Sequence, residues 1–333
     1  MSMTDTIERP VQQAAEPLVR IQGLSKQFGT GPHPVRAVEN VSFDIYPGET
    51  LGLVGESGSG KSTIGRLLTR LIEPTAGSLQ YRKDGKTVDL AHLSQRELRP
   101  LRSDIQIIFQ DPYASLNPRM RIRDVLGEAL STHGMAMGAA RQARIEELLE
   151  QVGLRPEHAD RFPHEFSGGQ RQRIGIARAL AVQPQFIVAD EPLSALDVSI
   201  QAQVVNLLGD LKDSLGLTLL FISHDLDVVE YLCDRVVVLY LGRVVEVAPT
   251  EALYAKPRHP YTQALLAAAP IPDPAQRRTI PLLSGDLPSP KNPPSGCVFR
   301  TRCPQAQAEC PSTDMQLRDM GNGHLQACWK VQD

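Results

Sequence analysis

The sequence has few aromatic residues and little net charge. Only 5% of its 333 residues are aromatic, and 35 Lys and Arg against 38 Asp and Glu leave a formal net charge of -3. A nucleic-acid-binding protein ordinarily carries a basic face and aromatic rings on which bases stack. The composition therefore disfavours a function on DNA or RNA.

Long apolar runs are also missing. No stretch approaches the roughly 18 consecutive apolar residues of a membrane helix. The start, MSMTDTIERPVQQAAEP, contains no apolar core of a secretion signal. We therefore expect a soluble cytoplasmic protein that reaches any membrane through a partner.

Cysteine is scarce until the last tenth or so of the chain. The total of five is odd, and without a secretion signal it argues against a disulfide framework. Cys233 lies in the apolar stretch YLCDRVVVLY and is expected in the core. The other four are Cys297, Cys303, Cys310 and Cys328. Their spacing fits no paired C-x-x-C zinc pattern, so zinc, an iron-sulfur cluster and plain thiols remain equally open.

The apolar patterns predict an α/β protein. LVRIQGL and VSFDIYPGE alternate apolar and polar residues, which is typical of antiparallel strands. TLGLV, FIVAD, TLLFIS and RVVVLY are continuous apolar runs, which is typical of parallel strands covered on both faces. In STIGRLLTRL, the spacing of Ile64, Leu67, Leu68 and Leu71 predicts one buried helix face.

Changes in composition predict the domain organisation. Residues 1–16 are expected to form a flexible tail and residues 17–250 the main domain, with a helical insertion over about 90–180 that lacks strand runs at least to about 165. Residues 251–333 form a C-terminal extension, because 12 of the 26 prolines lie from Pro257 onward. Such a density forbids long helices and central strands, so the extension needs another device to hold its shape.

The stretch GESGSGKST, residues 55–63, contains the pattern G-x-x-x-x-G-K-[ST] between an apolar strand and an amphipathic helix. Its glycines let backbone N–H groups face phosphates, its lysine reaches the β and γ phosphates, and its serine ligates magnesium. A plain Gly/Ser-rich turn is the alternative. We expect a nucleoside triphosphate to be bound by Gly55, Glu56, Ser57, Gly58, Ser59, Gly60, Lys61, Ser62 and Thr63.

Polar residues at the ends of the later strands predict hydrolysis. Asp190 ends FIVAD and is expected to hold magnesium, while Glu191 follows it and can deprotonate the attacking water. His224 follows the next strand and would lie near the γ-phosphate. Gln110 ends a strand-like run in IIFQDPY and can coordinate magnesium or water. The alternatives are an exposed strand-end acid and a structural histidine.

A second phosphate-type site lies in FSGGQRQR, where Ser167, Gly168, Gly169 and Gln170 precede a helical pattern. Together with GESGSGKST, IIFQDPYASLNP, FIVADEPLSALD and FISHD, this stretch resembles the ATP-binding subunit of ABC transporters over residues 18 to 250. The resemblance implies an ABC-type P-loop ATPase core whose mixed sheet has antiparallel N-terminal strands, and it implies ATP and Mg²⁺ as ligands. Phe166 stands where the family usually has Leu, a conservative apolar change.

In this family two cassettes meet head to tail, and the signature loop of one caps the γ-phosphate bound by the other. The resemblance therefore implies that Ser167, Gly168, Gly169 and Gln170 serve the ATP of a partner subunit. It also implies that Phe28 stacks on adenine, although packing is an alternative for a lone aromatic. Asp197 would contact the partner cassette, and the segment with Tyr113 would receive the coupling helix of a membrane subunit.

The C-terminal sequence narrows the resemblance. YLGRVVEVAPTEALYAKPRHPYTQALLAAAPIPDP, LSGDLPSPKNPPSGCVFRTRCP and the late cysteines resemble dipeptide and oligopeptide importer ATPases, closest to the second of their two paired cassettes. This implies a non-identical ATPase partner, two transmembrane permease subunits and an extracytoplasmic peptide-binding protein, at the cytoplasmic face of the membrane. Related importers carry nickel chelates, glutathione or other small solutes. The alternatives are DNA-repair, ribosome-associated and iron-sulfur assembly ATPases.

Some peptide-importer ATPases carry a 4Fe-4S cluster on this cysteine set. The resemblance therefore implies a cluster on Cys297, Cys303, Cys310 and Cys328. Because the ATP site is complete without it, we expect the cluster to be structural and the ATP affinity of the core to be independent of it.

Overall fold

The computed structural model describes residues 16–31, 33–135, 137–268 and 286–330. The predicted tail, residues 1–16, therefore lies outside the described residues apart from Glu16. The strands are β1 (Val19–Phe28), β2 (Val35–Ile45), β3 (Thr50–Val54), β4 (Ala76–Lys83), β5 (Lys86–Asp89), β6 (Ile105–Ile108), β7 (Phe186–Asp190), β8 (Thr218–Ile222), β9 (Arg235–Tyr240), β10 (Arg243–Pro249), β11 (Arg318–Asp319) and β12 (Leu325–Gln326).

Helices connect these strands. The α-helices are α1 (Lys61–Leu68), α2 (Gln95–Leu98), α3 (Pro112–Ser115), α4 (Ile122–Thr132), α5 (Gly138–Gln151), α6 (Gly168–Leu180), α7 (Val198–Leu215), α8 (Leu226–Leu232), α9 (Thr250–Ala255) and α10 (Pro260–Ala267). Single 3-10 turns span Leu90–His92, Arg99–Leu101, Pro156–Asp160, Pro163–Glu165 and Cys310–Ser312. None of the helices in the described ranges is both long and apolar enough to span a bilayer.

The larger sheet has the order β11-β12-β10-β9-β3-β8-β7-β6. Its strands from β9 to β6 are all parallel, and the side chains of β3, β7 and β8 are fully buried. The prediction of covered parallel strands is confirmed. Because parallel strands end at one edge of the sheet, the residues immediately after β3, β7 and β8 are brought together there.

The smaller sheet is antiparallel, with the order β2-β1-β4-β5. The prediction of antiparallel N-terminal strands is confirmed, since β1 pairs with β2 from Val19 opposite Ile45 to Phe28 opposite Val35. This pairing brings the end of β1 close to the start of α1, because the carbonyl oxygen of Ala37 in β2 lies against Gly60.

The helix predicted after the glycine loop is present as α1, with Ile64, Leu67 and Leu68 buried. The prediction that Leu71 belongs to this buried face is wrong, because Leu71 is 47% exposed. The helix ends at Leu68, and Arg70 with φ of 51° turns the chain out of the helical path.

The stretch between about 90 and 180 is mostly helical, as expected. It nevertheless contains the strand β6, so the expectation that its first part lacks strand runs is wrong, whereas the strand-like run expected before Gln110 is present. The four residues of β6 pair in parallel with β7.

The C-terminal extension is attached to the larger sheet. Strand β12 pairs with β10, and Phe299 packs edge-on against Tyr240 of β9 and Tyr261 of α10. The fully buried Glu246 accepts a hydrogen bond from His324 at 2.6 Å. This aromatic and carboxylate–imidazole packing is a device that holds the proline-rich segment in shape. The domain boundary near residue 250 stays a prediction.

Candidate active site

The glycine loop follows β3 and has room only for glycine at two positions. Gly55 and Gly60 have φ angles of 152° and 104°. A Cβ on Gly55 would lie 2.2 Å from the carbonyl oxygen of Leu239, and one on Gly60 would lie 2.4 Å from that of Ala37. These glycines let the backbone pass close to its neighbours and form a cradle that ends at the N-terminus of α1. Ser57 and Gly58 are exposed at its tip, Ser59 is buried, and Thr63 lies in the first turn of α1.

Lys61 lies under this loop with only 5% of its side chain exposed. Its Nζ donates hydrogen bonds to the carbonyl oxygens of Gly55 at 2.7 Å and Glu56 at 3.2 Å, and lies 3.9 Å from the Glu191 carboxylate. Burial lowers the pKa of Lys61, while Glu191 and Asp190 act to raise it. The ammonium group is therefore fixed where a phosphate above the loop could replace a carbonyl as its partner.

Ser62 and Asp190 form the pair expected for magnesium. The Ser62 hydroxyl, in the first turn of α1, donates to Asp190 Oδ1 at the end of β7 over 2.8 Å. Burial raises the pKa of Asp190, and the hydrogen bond from Ser62 acts against this. A hydroxyl and a carboxylate at the inner end of the glycine loop are hard oxygen ligands, so these residues fit Mg²⁺ bound with a nucleotide.

Glu191 is the point at which the predicted catalytic residues meet. Gln110 Nε2 donates to Glu191 Oε2 over 3.0 Å, and His224 Nδ1 lies 3.5 Å from the same oxygen. Glu191 has φ of 45°, a conformation that costs a non-glycine residue on the order of 1 to 3 kcal/mol. Its N–H donates to the carbonyl of Ile222 at 3.0 Å, which holds the residue in this position.

The second glycine pair begins α6 and lies apart from these contacts. Ser167 is the N-cap of the helix, accepts from the Gln170 N–H at 3.3 Å and donates its own N–H to the Gln170 side chain at 3.0 Å. Ser167 is exposed, and a Cβ on Gly168 or Gly169 would meet Leu196 or Ile200. The helix start is therefore well formed and faces outward beside the Asp197 segment.

Three further predicted residues lie on the surface. Phe28 at the end of β1 is 43% exposed, and Lys26 Nζ lies 5.1 Å from its ring centroid. Asp197 is exposed immediately before α7, and Tyr113 is 63% exposed with the Arg171 guanidinium 3.8 Å from its ring centroid. All three side chains are accessible to a ligand or a partner.

The four late cysteines line one cavity, together with Phe299 and Trp329. They form no disulfide. Burial above all, and then the neighbouring Cys310, Cys328 and Cys303, raise the pKa of Cys297 to about 11. Four cysteine side chains are the type of donor that binds a metal ion or cluster through thiolates. However, within the part of the chain that the structure describes, no three His, Cys, Asp or Glu side chains form a group that could hold a metal ion. The cluster therefore stays a prediction. Cys233 is buried, as expected.

Motif reasoning missed the residues that support the glycine loop from the C-terminal side. Arg302 forms a bidentate ion pair with Glu56, and the Tyr261 hydroxyl accepts the Glu56 N–H at 2.9 Å. Both residues lie in stretches that resemble peptide-importer ATPases, but no phosphate-binding motif assigns either of them to the glycine loop.

Comparison with known proteins gives matches along nearly the whole chain. The ABC transporter family model matches residues 38–194, and the model for the oligopeptide/dipeptide transporter C-terminal region matches residues 245–310. A candidate peptide import ATP-binding protein of Brucella ovis is 61% identical over 312 residues, which cover 94% of this chain and 97% of that protein. An oligopeptide transport ATP-binding protein of Bacillus subtilis is 52% identical over 297 residues, which cover 88% and 89%.

A solved structure shares the fold of the main domain. It is a dimeric ATP-binding cassette in a post-hydrolysis state, bound to ADP and Pi. It matches with a TM-score of 0.62 and 31% identity, over 70% of this chain and 98% of that chain.

Proposed function

The chain belongs to the ABC transporter family, among the ATP-binding proteins of peptide importers, and from this premise we propose which of its residues bind ATP and which hydrolyse it. The chain is an ATP-hydrolysing subunit that powers peptide import. The observation that carries the residue assignments is the meeting of Gln110, His224 and Lys61 around the Glu191 carboxylate.

The glycine loop binds the phosphates of ATP. The cradle between Gly55 and Gly60 directs backbone N–H groups and the N-terminus of α1 toward the anion, and Lys61 supplies a positive charge. Phe28 stacks on the adenine, because it is exposed at the end of β1, whose partner strand touches Gly60. Ser62, Asp190 and Gln110 hold Mg²⁺, which neutralises charge that develops on the phosphates.

Hydrolysis takes place beside Glu191. Its carboxylate accepts the proton of the attacking water, which requires an acceptor within hydrogen-bond reach of the water. Gln110 fixes the orientation of this carboxylate through a 3.0 Å hydrogen bond, and His224 lies on the same side, where it contacts the γ-phosphate. The strained backbone of Glu191 supports this assignment, because such strain is concentrated at functional sites.

The α6 start acts on the ATP of another subunit. Of Ser167, Gly168, Gly169 and Gln170, the serine is exposed, and the two glycines lie against Leu196 and Ile200. A helix N-terminus whose capping serine is exposed is suited to a γ-phosphate that arrives with a partner. On this proposal the chain works as one half of a head-to-tail cassette dimer, with the exposed Asp197 at the interface.

Paired substitutions test the assignment in trans. Ser167→Arg should leave ATP binding by the separate chain nearly unchanged but stop hydrolysis in the assembled dimer, whereas Lys61→Ala should weaken binding by the separate chain directly. Equilibrium binding of labelled ATP to each purified variant distinguishes them. Loss of ATP binding by the separate Ser167→Arg chain would contradict the assignment.

As the ATP-binding subunit of a peptide importer, the chain works with membrane permease subunits and a substrate-binding protein. We propose two permease subunits, a second, non-identical ATPase and a position at the cytoplasmic face of the cell membrane. The exposed Tyr113 segment is the surface that receives the permease. The proposed solutes are dipeptides or oligopeptides. The names of the Brucella and Bacillus relatives refer to peptide import and oligopeptide transport, and not to DNA repair, the ribosome or iron-sulfur assembly, so those alternatives are not favoured.

We propose that Cys297, Cys303, Cys310 and Cys328 bind a 4Fe-4S cluster. The support is that all four line one cavity in a segment with little secondary structure. Four thiolates on one centre would cross-link this segment. The anaerobically purified chain should be brown, with about four irons and four sulfides per chain. Stoichiometric zinc without iron in such a preparation would contradict the proposal.

A further inference from the structure

The glycine loop is joined to the C-terminal extension by a bidentate ion pair. Arg302 Nη1 and Nη2 donate to the two carboxylate oxygens of Glu56 at 2.8 and 3.2 Å. The side chain of Arg302 is 9% exposed and that of Glu56 is 26% exposed. Two parallel charge-assisted hydrogen bonds in a largely water-excluded place fix direction as well as distance, which a single surface ion pair does not.

Glu56 occupies a position that the phosphate-binding pattern leaves open, since only the flanking glycines, the lysine and the serine are specified. Its carboxylate, N–H and carbonyl groups each bond to another residue of the chain. The carboxylate is held by Arg302, the N–H donates to the Tyr261 hydroxyl at 2.9 Å, and the carbonyl accepts from Lys61 at 3.2 Å. Glu56 therefore anchors the loop to two parts of the chain that lie after the ATPase core.

Arg302 is itself held rigidly. Its N–H donates to the carbonyl of Phe299 at 3.0 Å, and its guanidinium lies 6.0 Å from the ring centroid of Tyr240. The ring of Phe299 packs edge-on against Tyr240, with centroids 5.2 Å apart. The next residue along the chain is Cys303, one of the four that line the shared cavity. A change in the cysteine segment would therefore reach Arg302 directly.

The extension touches the nucleotide side of the core at a second place. The carbonyl oxygen of Pro290 accepts the N–H of Arg36 at the start of β2 over 3.1 Å. Leu287 lies beside the tip of the glycine loop, with its Cδ2 4.0 Å from where a Cβ on Gly58 would be. Residues 287–302 thus contact the loop at its tip and at its base.

We propose that Arg302 is a positioning residue for the ATP site, which holds the glycine loop in its phosphate-binding shape and couples the cysteine-containing segment to ATP affinity. This inference rests on the proposed ATP site. It departs from the expectation that the ATP affinity of the core is independent of the cluster on the four cysteines. Without the ion pair, Glu56 loses one of its anchors and the loop samples other shapes. The apparent ATP affinity is then the intrinsic affinity multiplied by the fraction of time that the loop spends in the phosphate-binding shape.

Equilibrium binding of ATP to the full chain, and the KM and kcat of the assembled complex, test the inference. Arg302→Ala should weaken ATP binding about three- to tenfold and raise KM with little change in kcat, because the loop shape and not the chemistry is altered. Arg302→Lys should restore part of the affinity, since it keeps the charge but not the bidentate geometry. Arg300→Ala is the matched control, because the guanidinium of Arg300 donates to Ser295 within its own segment and, among the described residues, makes no ion pair with the glycine loop.

A double-mutant cycle separates positioning from folding. Glu56→Gln should weaken ATP binding by a similar factor, and adding Arg302→Ala should weaken it little further, because both changes remove one interaction. Equal ATP affinity for Arg302→Ala and Arg300→Ala would overturn the inference, as would full additivity in the cycle. Lys61→Ala keeps the two proposals distinct. If it leaves ATP binding unchanged, the proposed ATP site is wrong, whereas a loss with Lys61→Ala but none with Arg302→Ala refutes only the role of Arg302.

Discussion

Replacing Glu191 by Gln removes one negative charge while keeping the shape of the side chain. Glu191 Oε2 now accepts from Gln110 at 3.0 Å, and an amide oxygen can accept the same hydrogen bond. The amide NH₂ then takes the place of Oε1, 3.9 Å from Lys61 Nζ, while the amide oxygen stays 3.5 Å from His224 Nδ1. The substituted side chain can therefore stay in place, but it can no longer accept a proton.

The expected loss of rate comes from the role of the carboxylate. A positioned general base contributes about 10²- to 10⁴-fold. This corresponds to about 3 to 5 kcal/mol of barrier. The gross attraction between Glu191 and Lys61 at 3.9 Å is about 4 kcal/mol at an effective dielectric constant of 20. Asp190 still acts on Lys61 in the variant, and the loss of Glu191 removes a like charge beside the phosphates. ATP affinity should therefore stay equal or rise while kcat falls.

Single-turnover release of phosphate is the appropriate measurement, in the assembled complex with the composite site of the proposed partner ATPase inactivated. Without this inactivation, hydrolysis at the second site could hide the loss at the first. Glu150→Gln is the matched control, because Glu150 is an exposed carboxylate on α5. A hydrolysis rate for Glu191→Gln within about threefold of the control would refute the assignment of Glu191 as the base, because loss of a general base should slow hydrolysis at least about 100-fold.

The loop, a buried histidine and the cysteines give three other predictions. Gly60→Ala should abolish ATP binding, because its Cβ would lie 2.4 Å from the Ala37 carbonyl oxygen. Gly175→Ala, with no atom within 4 Å of its Cβ, should bind ATP normally in the same titration. Equal binding by the two variants would contradict the role of Gly60 in the phosphate cradle. Burial lowers the pKa of His259 from 6.5 to about 4. Between these pH values the unfolded chain takes up a proton that the folded chain does not. The free energy of unfolding should therefore fall by up to about 1.4 kcal/mol per pH unit from pH 6.5 down to pH 4. Between pH 7 and pH 5, the free energy of unfolding measured with urea should change less for His259→Asn than for the unsubstituted chain. An equal pH dependence of the two chains would show that His259 is not its cause. Cys297→Ser should lose the brown colour and lower the melting temperature of the chain, as absorbance and thermal unfolding would show; retained colour would exclude Cys297 as a ligand.

Much of the site could be predicted because its parts are local. The glycine loop, the start of α6 and the acids after β7 are each a few consecutive residues whose backbone shape and chemistry are coded together. Continuous apolar runs predicted the parallel strands, and parallel strands bring the residues after their carboxyl ends to one edge of the sheet. Asp190, Glu191 and His224 could therefore be assigned to one site from the sequence.

Predictions that depended on distant packing were less accurate. Leu71 has the spacing of the buried helix face, but the helix ends before it and the chain turns at Arg70. The run before Gln110 is strand-like in sequence, but the stretch around it is helical, and the pairing of β6 with β7 shows that this run belongs to the large sheet. The extension lacks sequence periodicity, so its attachment through Phe299, Glu246 and His324 could not be foreseen.

The residues proposed for ATP chemistry could be read from the sequence. The glycine loop, Gln110, the start of α6, Asp190 with Glu191, and His224 occur in one order, and each is set by residue type over short spacing. The contact of the C-terminal extension with the glycine loop is visible in the folded chain alone, because Arg302 and Glu56 are 246 residues apart in sequence. No local pattern records a contact between two such distant residues, which forms only when β12 joins the sheet and the aromatic rings around Tyr240 pack.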